Sequence, residues 1–491
     1  MLKPLPSERW NFTLAAHLLN RAGFGGPPAE IEKLLGLGHS AAVAWLVDYE
    51  IIPDPTADPL WAKPDPERQQ RFAALRTATE EKRRELQQQE QRLQREHMTE
   101  LRGWWLQRMA RGPRPLQEKL TLFWHGHFAT SVEKVREAYF MWRQNELFRR
   151  LGSGSWLELL IEAGQDPAML VWLDQAQSRK EHPNENFARE VMELFALGEG
   201  HYTEKDITEA ARALTGWGLD RAAEKFVYRP FQHDEGTKSL LGKTGNLDGE
   251  DFLGQIVAQP QAALYITAKL WNFFAGEIPS PELNRALADL FRKSDNTFKP
   301  VLRAMFLSEE FYAPALIRNQ VKSPVQWLVG SARVLECELP PPLACAAVLR
   351  TLGQDLFAPP NVKGWDGGLA WITTNNLLSR YNEAAALVQG DLSIVAGMAD
   401  TKNPQQARQI QNRLRNYRTG GVNVGKILGG QERSDKNALV AALENRLLQG
   451  KLKPKQEQSL REFLDSRKQL NETDVRDAIR LVMSTPEYQL T

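Results

Sequence analysis

The spacing of apolar residues along the chain follows a helical period almost throughout. Ala15, Leu18, Leu19 and Ala22 fall on one helix face, and Gly23-Phe-Gly-Gly-Pro-Pro breaks the pattern. Ala29–Leu35 resumes it and ends at Gly36 and Gly38, so residues 8–50 predict three short helices. A Pro/Asp-rich linker spans 53–66. From Glu67 to Met109 there is no Gly or Pro before Gly103, and the stretch is rich in Gln, Glu and Arg. Its apolar residues are too sparse for a coiled coil, while pairs such as Glu80 and Arg84 support a solvated helix. This predicts a projecting charged helical arm.

From Pro115 to Trp217 the pattern is again helical. Asn184 is placed to cap a helix over Glu185–Leu197, closed by Gly198, and Thr203 with Asp206 opens the next, Glu204–Leu214. Residues 218–249 form an irregular insertion in which Lys225-Phe-Val-Tyr-Arg-Pro-Phe predicts a short strand. Helices resume near Asp251, and Ser323-Pro-Val-Gln326 reads as a capping box with proline at the first helical position. Residues 357–375 are irregular. Residues 403–433 are polar and of a composition open to disorder, and a last helix is expected over Asp474–Met483. The fold expected is therefore mainly α: a multi-helix globular body with a long charged helical arm and a small irregular/β insertion. Its segments are 1–62 (N-terminal helices), 63–112 (arm), 113–390 (main body with the insertion) and 391–491 (polar segment and closing helices).

Length and charge add bounds. The chain of 491 residues is 42% hydrophobic, enough for a large core, and 62 Lys+Arg against 61 Asp+Glu leave a net charge of +1. That balance creates no field selecting nucleic acid or an anionic membrane. No apolar run approaches the ~18 residues of a membrane span. The N-terminus lacks the apolar core of a secretory signal, so the sequence as written reads as cytoplasmic, or as exported once a signal has been removed. Cys337 and Cys345 make neither a disulfide framework nor a zinc finger and read as small buried hydrophobes. Fourteen tryptophans offer structural anchors and, in a minority of positions, walls for a flat ligand.

Several long motifs then occur in order: His17-Leu-Leu-Asn-Arg-Ala-Gly-Phe-Gly25, Leu122-Phe-Trp-His-Gly-His-Phe-Ala-Thr-Ser131, and Asn184-Glu-Asn-Phe-Ala-Arg-Glu-Val-Met-Glu-Leu-Phe195. Glu209-Ala-Ala-Arg-Ala-Leu-Thr-Gly-Trp217, His233-Asp234, Leu241-Gly-Lys-Thr-Gly245, Lys322-Ser-Pro324 and Pro359-Pro-Asn-Val-Lys-Gly-Trp365 follow. In these the chain resembles the bacterial domain-of-unknown-function 1800 family, which has no assigned reaction. The resemblance implies an export signal, which this sequence does not display, and a sulfatase-like protein encoded nearby. It also implies that His127, rather than His125, is the histidine to watch.

The chemistry-bearing residues gather between Trp124 and Asp234. His125, His127, His201 and His233 are among the histidines there, and imidazole with carboxylate is an ordinary ligand set for a divalent metal ion. Asn186, Glu190 and Glu193 share one helix face, with Glu185 and Arg189 on an adjoining one. The candidate metal ligands are His127, His233 and Glu190; His125 joins them only if Gly126 breaks the helix, since its ring stands about 200° from that of His127. The competing reading is a buried polar network in which arginines neutralise Glu190 and Glu193 and nothing is catalysed. Acid/base work by a carboxylate pair, Glu185, Glu190 or Glu193 with Asp234, with tryptophan stacking on a sugar, is a third; the catalytic candidates are Glu190, Glu193, His127 and Asp234.

Arg189 and Lys363 are candidate anion holders, and Asn186 and Trp365 candidate ligand contacts; Asn361-Val-Lys-Gly-Trp365 with Trp371 forms a Gly-rich aromatic loop. Lys322 stands before a helix N-terminus, where plain capping by Ser323 competes with anion binding. Gly236-Thr-Lys-Ser-Leu-Leu-Gly-Lys-Thr244 has five residues between its glycines where a phosphate loop needs four, and no helix follows, so nucleotide binding is excluded. No Gly-x-Ser-x-Gly elbow is present. The residues thus favour a hydrolase, metal-dependent or acid/base, acting on a polymer or conjugate. The alternative is a non-catalytic scaffold that binds a protein partner through 67–109 and the Trp-rich loops.

Overall fold

The computed structural model describes residues 2–391 and 421–491, and these are mainly helical. The sheets described are two antiparallel pairs. The three N-terminal helices form over Phe12–Ala22, Pro28–Leu37 and His39–Val47. Asn11 caps the first through its side chain, and glycine at positive φ (Gly38) ends the second.

The charged stretch departs from expectation. It is two helices, Arg68–Thr77 and Glu80–Arg111, with Thr79 capping the second. Only the first part of the long helix lies in solvent; Met98, Leu101, Trp105, Leu106 and Met109 are buried. Their spacing is an apolar stripe confined to the last turns. Trp61 stacks on His97 with ring centroids 4.6 Å apart and donates to Glu100 (2.8 Å), while Gln94 accepts from the backbone N–H of Ala138 (2.7 Å). The helix is docked to the body from Gln94 onward.

Two apolar clusters make the core. One runs from Leu5 through the N-terminal helices and the 115–316 helices; the other joins Phe24, the buried end of the long charged helix, the helices Pro324–Val334 and Pro342–Thr351, and the C-terminal helices. The chain end folds back on the second cluster: Gln320 and Thr491 exchange backbone hydrogen bonds (3.2 and 2.8 Å), and Lys322 N–H donates to Gln489 (2.8 Å). The final helix covers Glu472–Met483, capped reciprocally by Asn471 and Asp474. Of the polar 403–433 stretch, residues 403–420 lie outside the described residues, while Val424–Ile427 and Gly430–Ser434 are short helices.

Within 218–249 the expected strand forms. β1 (Trp217–Asp220) pairs with β2 (Lys225–Tyr228), Trp217 opposite Tyr228, and β3 (Lys238–Leu240) pairs with β4 (Lys243–Gly245). At Ser323 half of the capping box is present: its hydroxyl accepts from Gln326 N–H (3.2 Å). The Gln326 side chain turns inward instead, accepting from the buried Lys119 ammonium and donating to Asn20 O (3.3 Å). A buried ammonium without an acceptor costs more than a lost cap.

Candidate functional site

The segment after Asn184 carries the candidate site, and its shape depends on a change of helix type. Glu185–Glu190 is α-helix, but Val191–Ala196 widens into a π-turn. Such a turn leaves its last carbonyls without partners in the helix, and π-turns recur at functional sites. Side chains of other elements supply the donors. His127 Nε2 donates to Phe195 O (2.9 Å), Tyr265 OH and Lys269 Nζ to Leu194 O (2.8 and 3.1 Å), and Gln261 Nε2 to Leu197 O (3.0 Å). Gln261, Tyr265 and Lys269 are four residues apart and lie on one face of the helix Pro260–Ala275. The Lys269 ammonium also complements the negative helix end. Its burial lowers its pKa to about 8.

Glu190 and Glu193 straddle the α-to-π junction on the outer side of this helix, both half-buried. Burial and then the neighbouring Glu193 carboxylate raise the pKa of Glu190, against the opposing pull of Arg189 and Lys363. Tyr202 OH donates to Glu193 Oε2 (3.4 Å). Lys363 arrives on the 361–365 loop, which crosses the helix Pro115–His127 at Gly126. Gly364 has φ +88°, and a Cβ there would overlap the Gly126 carbonyl oxygen. Trp365, half-buried, packs over Gly126 from the same loop. Glu190 and Glu193 are thus neighbours, the Lys363 charge acts on Glu190, and Trp365 stands on the same loop as Lys363.

The other expected residues have different neighbours. Because the helix Pro115–His127 is unbroken at Gly126, the rings of His125 and His127 point into separate surroundings. His127 is enclosed by Phe123, Trp124, Phe128, Trp156 and Phe195. Burial, reinforced by Lys269, holds it neutral, with Nε2 committed to Phe195 O and Nδ1 unpartnered. His125 lies among Trp105, Phe148 and Phe357; its Nε2 meets Asn145 Nδ2 (3.0 Å), and burial followed by Arg149 lowers its pKa to about 3.

His233 Nδ1 lies 2.8 Å from Thr215 O. Asp234 is locked to Arg212 (2.8 and 3.2 Å) and to Gly236 N–H (2.8 Å), and the Arg212 hydrogen bond lowers its pKa. Arg189 forks onto Glu204 with two 2.9 Å bonds. Asn186 is exposed beside the cap. Among the described residues no group of three or more His, Cys, Asp or Glu side chains is arranged to hold a metal ion. The expected set of His127, His233 and Glu190 is therefore not assembled, since the two rings are turned to backbone carbonyls.

A family model described as "Protein of unknown function (DUF1800)" matches residues 17–490. The chain belongs to this family. No curated protein and no solved structure matches it. In this DUF1800 protein the sequence motifs resolve into two kinds. His17, which meets Phe311 O (3.1 Å), with His125 and His127, are buried and neutral supports of the helices. Glu190, Glu193 and Lys363 reach solvent. Tyr202, Tyr265 and Lys269 escaped sequence reasoning; the four-residue spacing of Gln261, Tyr265 and Lys269 is visible in the chain, but its target is not. Among the described residues no helix is long and apolar enough to cross a membrane.

Proposed function

We propose that this chain is an acid/base hydrolase in which Glu190 donates the proton and Glu193 acts as the carboxylate base, on a glycosidic polymer or conjugate. The observation that supports this is the raised pKa of Glu190 beside a second carboxylate at an accessible face. Paired carboxylates with different surroundings divide acid and base roles. Glu190 would protonate the leaving oxygen as the C–O bond breaks, and Glu193 would take a proton from the attacking water. Lys363, whose charge acts on Glu190, would hold an anionic substituent, while the half-buried Trp365 would offer a stacking surface for a sugar ring. His127 and Asp234 leave the catalytic set, the first as a helix support and the second as an arginine partner.

The test uses aryl glycosides that differ in leaving group. Glu190→Gln should lose about 100-fold or more in rate on poor leaving groups but little on dinitrophenyl glycosides, which need no proton. Glu193→Gln should lose both. Wild-type rates in both variants, or no turnover of any glycoside in the panel, overturns the reading. Stoichiometric metal in the purified protein, lost in Glu190→Ala, would replace it by metal-assisted hydrolysis.

A further inference from the structure

Away from the carboxylate face, a cleft of about 880 Å3 opens between the helix Arg68–Thr77, the end of the helix Pro167–Trp172 and the β1–β2 hairpin. Its volume lies in the range of small-molecule sites, roughly 300–1,000 Å3. Leu170, Val171 and Leu219 make the apolar wall, and Leu170 and Leu219 are themselves part of the buried core.

Charge around this wall is lopsided: Arg76, Lys134, Arg221 and Arg229 against Asp174 and Asp220. Lys134 is engaged, donating to Asp174 and to Trp172 O, both at 2.7 Å. Asp220 accepts the N–H groups of Ala222 and Ala223 (both 2.9 Å) as it closes the hairpin, in the field of Lys225 and Arg229. Arg76 on the helix and Arg221 on the hairpin are both exposed, and neither makes an ion pair with Asp174, which is bound to Lys134, or with Asp220.

The walls are held in place. The buried Arg68 guanidinium bridges Glu137 (2.9 Å) and Glu224 (3.0 Å), and its Nε donates to Arg221 O (2.8 Å). That single side chain ties the helix to the hairpin. At Gly218 a Cβ would run into Arg229 Nη1; the bare backbone lets the guanidinium lie over the strand and donate to Leu219 O (3.3 Å).

We propose that this cleft binds a free organic anion with an apolar body: a carboxylate, sulfonate or phosphate monoester joined to an alkyl or aryl group. The apolar wall requires the body, and two guanidinium groups without acidic partners require the head, which Arg recognises through paired hydrogen bonds. A neutral or cationic amphiphile of the same shape leaves those charges unpaired. The site shares no lining residue with Glu190, Glu193 or Lys363, so it stands apart from the hydrolase reading.

Anilinonaphthalene sulfonate, itself an aryl anion, serves as the probe on the full chain by fluorescence titration. Saturable binding is expected, displaced by octyl phosphate but not by octyltrimethylammonium. The Arg76→Glu/Arg221→Glu variant alters two exposed side chains and should keep the wild-type melting temperature while binding about tenfold or more weakly. Gly218→Ala, which displaces only the tip of Arg229, should weaken binding in the same direction. Wild-type affinity in the double variant, equal displacement by the cationic amphiphile, or no saturable binding overturns the proposal. Binding to phosphatidylglycerol vesicles without binding of the probe or of octyl phosphate overturns it in favour of a membrane surface.

Discussion

Gly364 lies against the carbonyl of Gly126 so closely that a Cβ on Gly364 would overlap the carbonyl oxygen. This contact sets the height of the loop that carries Lys363 and Trp365 above the helix Pro115–His127. Gly364 also has φ +88°, where any other residue is strained. Gly364→Ala is therefore expected to cost about 1–3 kcal/mol from backbone strain alone, with added cost from the overlap. Urea denaturation measures it; a change within about 0.5 kcal/mol, the ordinary range of surface substitutions, would refute the contact.

Glu190 carries a testable pH signature. Its pKa is raised above the ordinary 4.5 in the folded chain, so over the window from 4.5 upward the native state holds more protons than the unfolded one. Stability from this group is present at low pH and falls as pH rises through the window. Glu190→Gln should melt higher than wild type at neutral pH, with the difference shrinking toward about pH 4. Thermal melts across that range check it, and a difference that is flat with pH contradicts it.

The buried histidines act in the opposite sense. His17 and His125 are lowered to about 3, and His127 well below 6.5, in each case first by burial. The unfolded chain takes up protons below 6.5 that the native chain refuses, so stability is lost as pH falls from there toward about 3. Replacing His125 by Asn should reduce that pH slope by about one proton. Denaturant titrations on either side of the histidine range measure it; an unchanged slope would mean that His125 is protonated in the fold.

Glu118 is the centre of a buried charge network. Arg149 (2.8 and 3.0 Å), Arg108 (2.9 Å) and Trp105 Nε1 (2.9 Å) all donate to its carboxylate. Burial works against its charge, but Arg149 and then Arg108 outweigh it and leave its pKa lowered. Removing one partner strands the others, so Glu118→Gln is expected to lose about 3–5 kcal/mol. A loss below about 1 kcal/mol in chemical denaturation would show that water reaches the two guanidinium groups.

Local signals carried most of the fold. The Asn184 cap, the Thr203–Asp206 box, the glycine at Gly38 and the short strand over Lys225–Tyr228 all act within a few residues, and these local features formed where the chain implied them. The charged stretch misled because its many Glu and Gln positions swamp the apolar stripe that begins only at Met98. The site was half legible. Glu190 and Glu193 share a face by simple spacing, but the π-turn Val191–Ala196 that contains Glu193 meets donors from His127, Gln261, Tyr265 and Lys269. No local rule announces a carbonyl that will be claimed from another helix. His127 and His233 resembled metal ligands because sequence shows the imidazole and hides the backbone oxygen it meets.

Those borrowed donors have a consequence for the chain's length. Gln261, Tyr265 and Lys269 reach their carbonyls only while they keep step along one side of their helix. One residue inserted between Gln261 and Tyr265 would swing the later two by about 100° relative to the first, and the helix could then reach Leu194 or Leu197 but not both. The count of residues in that helix is thus under the same constraint as their identity, and the placement of Glu190 and Glu193 is set by the gauge of a neighbouring helix.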